Sequence, residues 1–133
     1  MGADYKKCHR SVIGGMTATA IAAGLTRYQM VFGGPQMANL LDAQMRMPFP
    51  CHITNLNVRS QVPPGVGETY DYAIFVNGII TALTLQIAGA VDVAAGPDAD
   101  IVGIAAQDEI QIRIVTSGAA ANSQHIWSFE VRH

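Results

Sequence analysis

From Thr26 to the end of the chain, apolar and polar residues alternate with a period of two in one short segment after another. That period is the mark of a strand with one face buried. Tyr28, Met30 and Phe32 alternate with Arg27, Gln29 and Val31, and Gly33-Gly34-Pro35 closes the segment. Gln36 to Met47 reads two ways. Met37, Leu40, Leu41 and Met45 have helical spacing, yet Leu41, Ala43, Met45 and Met47 alternate with polar residues and prolines bracket the stretch. A strand over its second half is the expectation. Pro48-Phe49-Pro50 is a stiff bend. In Cys51 to Gln61, Leu56 and Val58 share one parity and Ile53 has the other, which places a β-bulge near Thr54-Asn55. Pro63-Pro64-Gly65-Val66-Gly67 is a loop.

The clearest local signal follows. Tyr70, Tyr72, Ile74 and Val76 alternate up to Asn77-Gly78, and Leu83, Leu85 and Ile87 alternate beyond it. Asn-Gly tolerates the positive φ of a type I′ turn, so this is a predicted hairpin. Ile79 and Ile80 break strict alternation. Ile110, Ile112 and Ile114 form another strand, and Trp127, Phe129 and Val131 face one way in the last. About eight strands at short, regular spacing predict an all-β, jelly-roll-like antiparallel β-sandwich over residues 26–133.

Residues 1–25 differ. They are rich in Ala, Gly and Thr and carry few large apolar groups. They are expected to form an extended N-terminal arm, ordered against a partner, with a first strand around Ala18–Ala22 as the alternative. In the arm reading, Tyr5, Lys6, Lys7, Arg10, Val12 and Ile13 are the candidate partner-binding residues, and residues 1 to about 24 are dispensable for folding. The run from Val12 to Leu25 has a signal-like order behind Lys6, Lys7 and Arg10, but Gly14, Gly15, Thr17 and Thr19 interrupt it, so a cleaved signal is not expected.

Composition sharpens this picture. The chain has 133 residues, enough for one domain with a real core. Half its residues are hydrophobic and only 14% are charged, against roughly 25% in ordinary soluble domains. Such a deficit points to a surface covered by other subunits and to a homo-oligomer, with a trimer expected. The net charge of -2 excludes a basic nucleic-acid footprint. No stretch approaches the roughly 20 apolar residues of a membrane helix. The two cysteines, Cys8 and Cys51, are too few for a disulfide framework.

The candidate chemistry is thin. Cys8-His9 and Cys51-His52 are adjacent pairs, without the spacing of zinc ligands. Asp98-Ala99-Asp100 belongs to no calcium loop motif. There is no Gly-x-Ser-x-Gly elbow and no phosphate-cradling loop, and His125 shares the parity of Trp127, as a packed histidine does. No cofactor, no metal and no catalysis are expected. Tyr28, Tyr70, Tyr72, Phe75 and Trp127 read either as a sugar-stacking platform or as core. Tyr70 and Tyr72 share the face of Ile74 and Val76, which favours core.

Several stretches, taken in order, resemble a family of small β-rich structural proteins of tailed bacteriophages. They are Thr26-Arg27-Tyr28 with Gly33-Gly34, Met47-Pro48-Phe49-Pro50, Ile53 to Arg59 with the Pro63-Pro64-Gly65 loop, Tyr70-Asp71-Tyr72 through Val76-Asn77-Gly78 to Thr81-Ala82-Leu83-Thr84, Ile110-Gln111-Ile112, and His125 to Phe129. The resemblance spans roughly residues 26–131. It implies a jelly-roll module of the virion: a capsid decoration (cement) protein on the outer surface of the head. Such a subunit binds across major capsid protein subunits and is assembled in the host cytoplasm. The alternative is a tail or fibre module that binds host-surface carbohydrate. Neither carries catalytic residues over to this chain.

Overall fold

The computed structural model describes residues 10–133. Nine strands run in chain order: β1 (Arg10–Met16), β2 (Thr26–Gln29), β3 (Met45–Arg46), β4 (Cys51–Ser60), β5 (Gly65–Val76), β6 (Ile79–Gly89), β7 (Val102–Ile104), β8 (Glu109–Thr116) and β9 (His125–Arg132). The order β1-β9-β4-β7 makes one sheet and β2-β8-β5-β6 the other, with β3 also pairing β8. All strand pairs are antiparallel. The expected all-β sandwich is therefore the fold. One of the strands not expected, the short β7, lies in a stretch whose Gly and Ala content hides the alternation.

The core forms where the inward parities of the two sheets meet. Tyr72 pairs with Ile114, Ile74 with Ile112 and Val76 with Ile110 across β5 and β8. Opposite them stand Trp127, Phe129 and Val131 of β9. Each fully buried side chain of this size contributes about 1.5–3 kcal/mol over its exposed state. Trp127 also donates its indole N–H to the carbonyl of Val31 at 2.7 Å, so its polar edge is satisfied inside the core.

Local chemistry explains the bends. The register of β4 against β9 shifts between Thr54 and Asn57, and Asn55 sits at φ 56°. The extra residue resets the parity, so Ile53 and Leu56 are both fully buried. At the hairpin, Val76 pairs directly with Ile79, while Asn77 and Gly78 take φ 51° and 76°, both in the left-handed region a two-residue turn needs. The break in alternation after Ile80 is a second register shift, between Ala73 and Phe75 on β5.

Three expectations change. The segment from Thr26 turns the opposite way: Val31 and Gln29 are fully buried, while Phe32 is 63% exposed. Gln29 is tolerated inside because one orientation of its amide satisfies both neighbours, its nitrogen donating to the Gly34 carbonyl at 3.0 Å and its oxygen accepting from the Gln36 N–H at 3.1 Å. Most of Gln36 to Met47 is not strand. A 3-10 turn covers Leu40–Ala43, capped by the Asn39 side chain accepting from the Leu41 N–H, and only Met45–Arg46 is extended.

The third change concerns the arm. Arg10–Met16 pairs residue for residue with β9, from Arg10 opposite Arg132 to Met16 opposite Ile126. Ile21 is fully buried and exchanges backbone hydrogen bonds with Ser123 at 2.8 and 3.3 Å. From Arg10 onward, the segment expected as an arm lies within the sandwich. Small residues serve here as close-approach residues: a Cβ on Gly15 falls 2.5 Å from the Gly33 nitrogen and 2.8 Å from the Trp127 ring.

Candidate functional site

Of the residues expected to bind a partner, Tyr5, Lys6 and Lys7 lie outside the described residues. The other three sit on β1. Arg10 is exposed and pairs with Glu130 at 3.3 Å. Val12 is 73% exposed at the sheet edge. Ile13 turns inward and packs against the core, so it is removed from the attachment surface by its own strand parity.

Two surface features were not legible in the alternation. The first is apolar and lies at the end of the β5–β6 hairpin. Ile79 is 70% exposed and Ile80 50%. Leu40 reaches to 3.6 Å from the point where a Cβ on Gly78 would stand. Leu41, next along the 3-10 turn, is 70% exposed. The turn between Val76 and Ile79 stands level with the start of β8, where the Asn77 N–H donates to the Glu109 carbonyl at 2.7 Å, so Ile79 and Ile80 lie at the end of the sheet.

The second feature is a groove of about 690 Å³ on the outer face of the β8-β5-β6 sheet. Ladder register builds it. One rung aligns Gln86, Asp71 and Val115, and the next aligns Thr84, Ala73 and Arg113. Neighbouring strands stand roughly 4.8 Å apart, so the small side chain of Ala73 leaves a depression between Thr84 and Arg113. Asp71 accepts from the Gln86 amide at 2.7 Å and from the Thr69 hydroxyl at 3.3 Å. The Arg113 guanidinium lies over the Phe75 ring, 4.9 Å from its centroid, a cation–π contact. Tyr28 meets the same Phe75 edge-on at 6.1 Å. Among the described residues no carboxylate lies within salt-bridge distance of Arg113, and its Nε–H is buried without an acceptor.

The aromatic platform dissolves into core and groove wall. Tyr70, Tyr72 and Trp127 are at most 1% exposed. Tyr70 donates to the Ala121 carbonyl at 2.6 Å. Tyr72 meets His125 Nδ1 at 2.6 Å. His125 is completely buried, and burial pushes its pKa down to about 4, so it is neutral near pH 7. With its Nε2 enclosed and unpartnered, it has no access to a substrate. Cys51 is buried, and burial pushes its thiol pKa up, which disfavours the thiolate that a metal or a nucleophilic role needs. His52 beside it is exposed. Among the described residues no three His, Cys, Asp or Glu side chains converge.

No family model matches the chain, and no curated protein matches it. Three solved structures show slight likeness. One is a cycloisomaltooligosaccharide glucanotransferase from Paenibacillus sp., complexed with cycloisomaltoheptaose. It is 11% identical with a TM-score of 0.37, over 65% of this chain but 12% of that one. Another is PliG of Aeromonas hydrophila, a periplasmic inhibitor of g-type lysozyme, 12% identical with a TM-score of 0.39 over 95% and 89% of the two chains. A third is a Bacillus endospore appendage protein of disulfide-linked pili, 12% identical with a TM-score of 0.39 over 94% and 89%. Nothing about function transfers across likeness this slight.

Proposed function

We propose that this chain is a virion structural subunit: a capsid decoration (cement) protein on the outer surface of a phage head. In this reading it acts as a homotrimer that binds across major capsid protein subunits and is assembled in the bacterial host cytoplasm. The order of short motifs from Thr26 to Val131 supports the phage assignment. The observation that carries the assembly role is the apolar hairpin end, where Ile79, Ile80 and Leu41 face solvent on a chain with only 14% charged residues.

The mechanism is mechanical. Removing apolar surface from water at a subunit joint yields roughly 25 cal/mol per Å², and anything that binds the assembled shell alone shifts its stability by mass action. No covalent step is involved.

Two measurements test the reading. Sedimentation velocity of the purified chain is expected to show a trimer, and Ile80→Asp is expected to shift it to monomer with an unchanged circular dichroism spectrum. Antibody raised against the chain is expected to label the head of the virions that contain it. Labelling confined to the tail, or a monomer that leaves heads undecorated, overturns the proposal.

A further inference from the structure

We propose that the groove on the outer face of β8, β5 and β6 binds a carboxylate-bearing sugar residue, such as a hexuronic or nonulosonic acid, through Arg113. This inference does not depend on the capsid reading, and each stands or falls on its own measurement.

The case begins with an unsatisfied cation. Arg113 is braced against Phe75 and lines the groove, and among the described residues it has no carboxylate partner. Its Nε–H is enclosed by the protein, so the terminal nitrogens of this half-buried side chain are what it offers to a ligand in the groove. A guanidinium braced over a ring presents those nitrogens as a preformed fork, which takes a carboxylate through two parallel hydrogen bonds.

The rest of the groove selects among anions. Asp71 lies one rung along on the neighbouring strand, since it faces Val115 while Ala73 faces Arg113. Its carboxylate disfavours a second negative charge, which argues against phosphate-rich ligands and nucleic acid. Thr84 and Gln86 line the side towards β6. Gln86 gives its amide N–H to Asp71, which leaves its carbonyl to accept from a ligand hydroxyl, while the Thr84 hydroxyl both donates and accepts. A single negative charge beside a row of hydroxyl-matching groups describes an acidic sugar better than a simple carboxylate. Phe75 is only 7% exposed and is covered by Arg113 rather than open for stacking, so affinity comes from polar contacts and lies in the millimolar range.

The test is nitrogen-15 NMR titration of the full chain with glucuronate, N-acetylneuraminate, glucose and acetate, each to about 20 mM, enough to see millimolar binding. One or both acidic sugars are expected to shift the amides of Ala73, Thr84 and Arg113 saturably. Glucose and acetate are expected to bind at least about tenfold more weakly, a difference near 1.4 kcal/mol. Arg113→Gln is expected to abolish the shifts. If that variant unfolds, Thr84→Tyr, at an exposed position lining the groove, is expected to block binding with the melting curve preserved. No saturable shift with either acidic sugar, equal response to glucose, or retained binding in both folded variants overturns the inference. Its failure leaves the oligomer and head-labelling results standing, and their failure leaves this site standing.

Discussion

The Tyr72 hydroxyl and His125 Nδ1 lie 2.6 Å apart and join the two sheets inside the core, one residue on β5 and the other at the start of β9. The Tyr70 ring closes the same cluster, 4.6 Å from the imidazole and nearly perpendicular to it. His125 takes a further backbone bond, its N–H donating to the Thr17 hydroxyl at 3.0 Å. Burial raises the Tyr72 pKa, so its hydroxyl keeps its proton near neutral pH. The second ring nitrogen, Nε2, has no partner, and protonating this ring places an uncompensated charge in the core.

Acid stability follows from that enclosure. The folded pKa of His125 is about 4 against an ordinary 6.5, so between those values the unfolded chain binds the extra proton and the folded chain does not. Stability is therefore full above pH 6.5 and falls as the pH drops towards 4, by about 3 kcal/mol in total. Glu68, Asp108 and Glu130 are held below their ordinary range by hydrogen bonds. Their contribution is lost only as the pH falls through the carboxylate range, beneath most of this window. Urea unfolding at pH 7.0 and 5.0 is expected to show the drop in the native chain and a much flatter profile in His125→Gln. An equal slope in both proteins assigns the effect elsewhere.

Gly15 marks a contact that no side chain can share. A Cβ there meets the Gly33 nitrogen at 2.5 Å, the Phe32 carbonyl carbon at 2.6 Å and the Trp127 ring at 2.8 Å. Two of these atoms are backbone and have nowhere to go. Gly15→Ala is expected to cost about 3 kcal/mol or more, lowering the melting temperature by about 10 °C. Gly118→Ala, where nothing stands within 4 Å, is the matched control and should change stability by less than about 0.5 kcal/mol.

The same glycine shows where sequence reading ran out. The hairpin, the bulge in β4 and the inward face of β9 were legible because their signals are local: Asn77-Gly78, a parity break, and Trp127-Phe129-Val131. The place of β1 was not, because the Ala, Gly and Thr content of residues 1–25 reads as looseness, while the smallness of Gly15 serves a contact with Trp127, 112 positions further on. The segment at Val31 faces the opposite way to its alternation because Gln29 is polar yet buried against its own loop. The groove was invisible for a similar reason. Arg113 between Ile112 and Ile114 reads as a solvated charge, and only the register brings Ala73 and Thr84 alongside it.

The β5–β6 turn depends on more than its dihedral angles. The Asn77 side chain donates to Asp108 at 2.9 Å and accepts from the Glu109 N–H at 2.9 Å, tying the hairpin end to the start of β8. Asn77→Ala loses both bonds and places a Cβ-bearing residue with no side-chain compensation at φ 51°. About 1–3 kcal/mol of destabilisation is expected by thermal melting. Asn77→Gly restores the backbone preference and should recover part of it. If alanine and glycine destabilise equally, the two side-chain bonds account for the whole effect.

Residues 10–23 separate folding from attachment. A chain beginning at Gly24 loses the seven β1–β9 pairs from Arg10 to Met16. It also loses Ile21, which is fully buried, and the Thr17 bonds that hold His125. Burial of Ile21 alone is worth about 1.5–3 kcal/mol, and the lost strand uncovers an edge of the sheet that carries Trp127. The truncated chain is therefore expected to lose its cooperative melt, in contrast to what the composition of the segment implies. Attachment needs a gentler variant. Val12 stands 73% exposed on the outer face of β1, opposite Glu130, so Val12→Asp removes exposed apolar surface and adds charge without opening the core. Its melting temperature is expected to fall by no more than about 6 °C, since the surface change and the second carboxylate opposite Glu130 together cost about 1 kcal/mol. Its binding to undecorated capsids is expected to weaken if β1 forms part of the joint. Native-like capsid binding by Val12→Asp, with loss of binding in Ile80→Asp, moves the contact surface from β1 to the hairpin end.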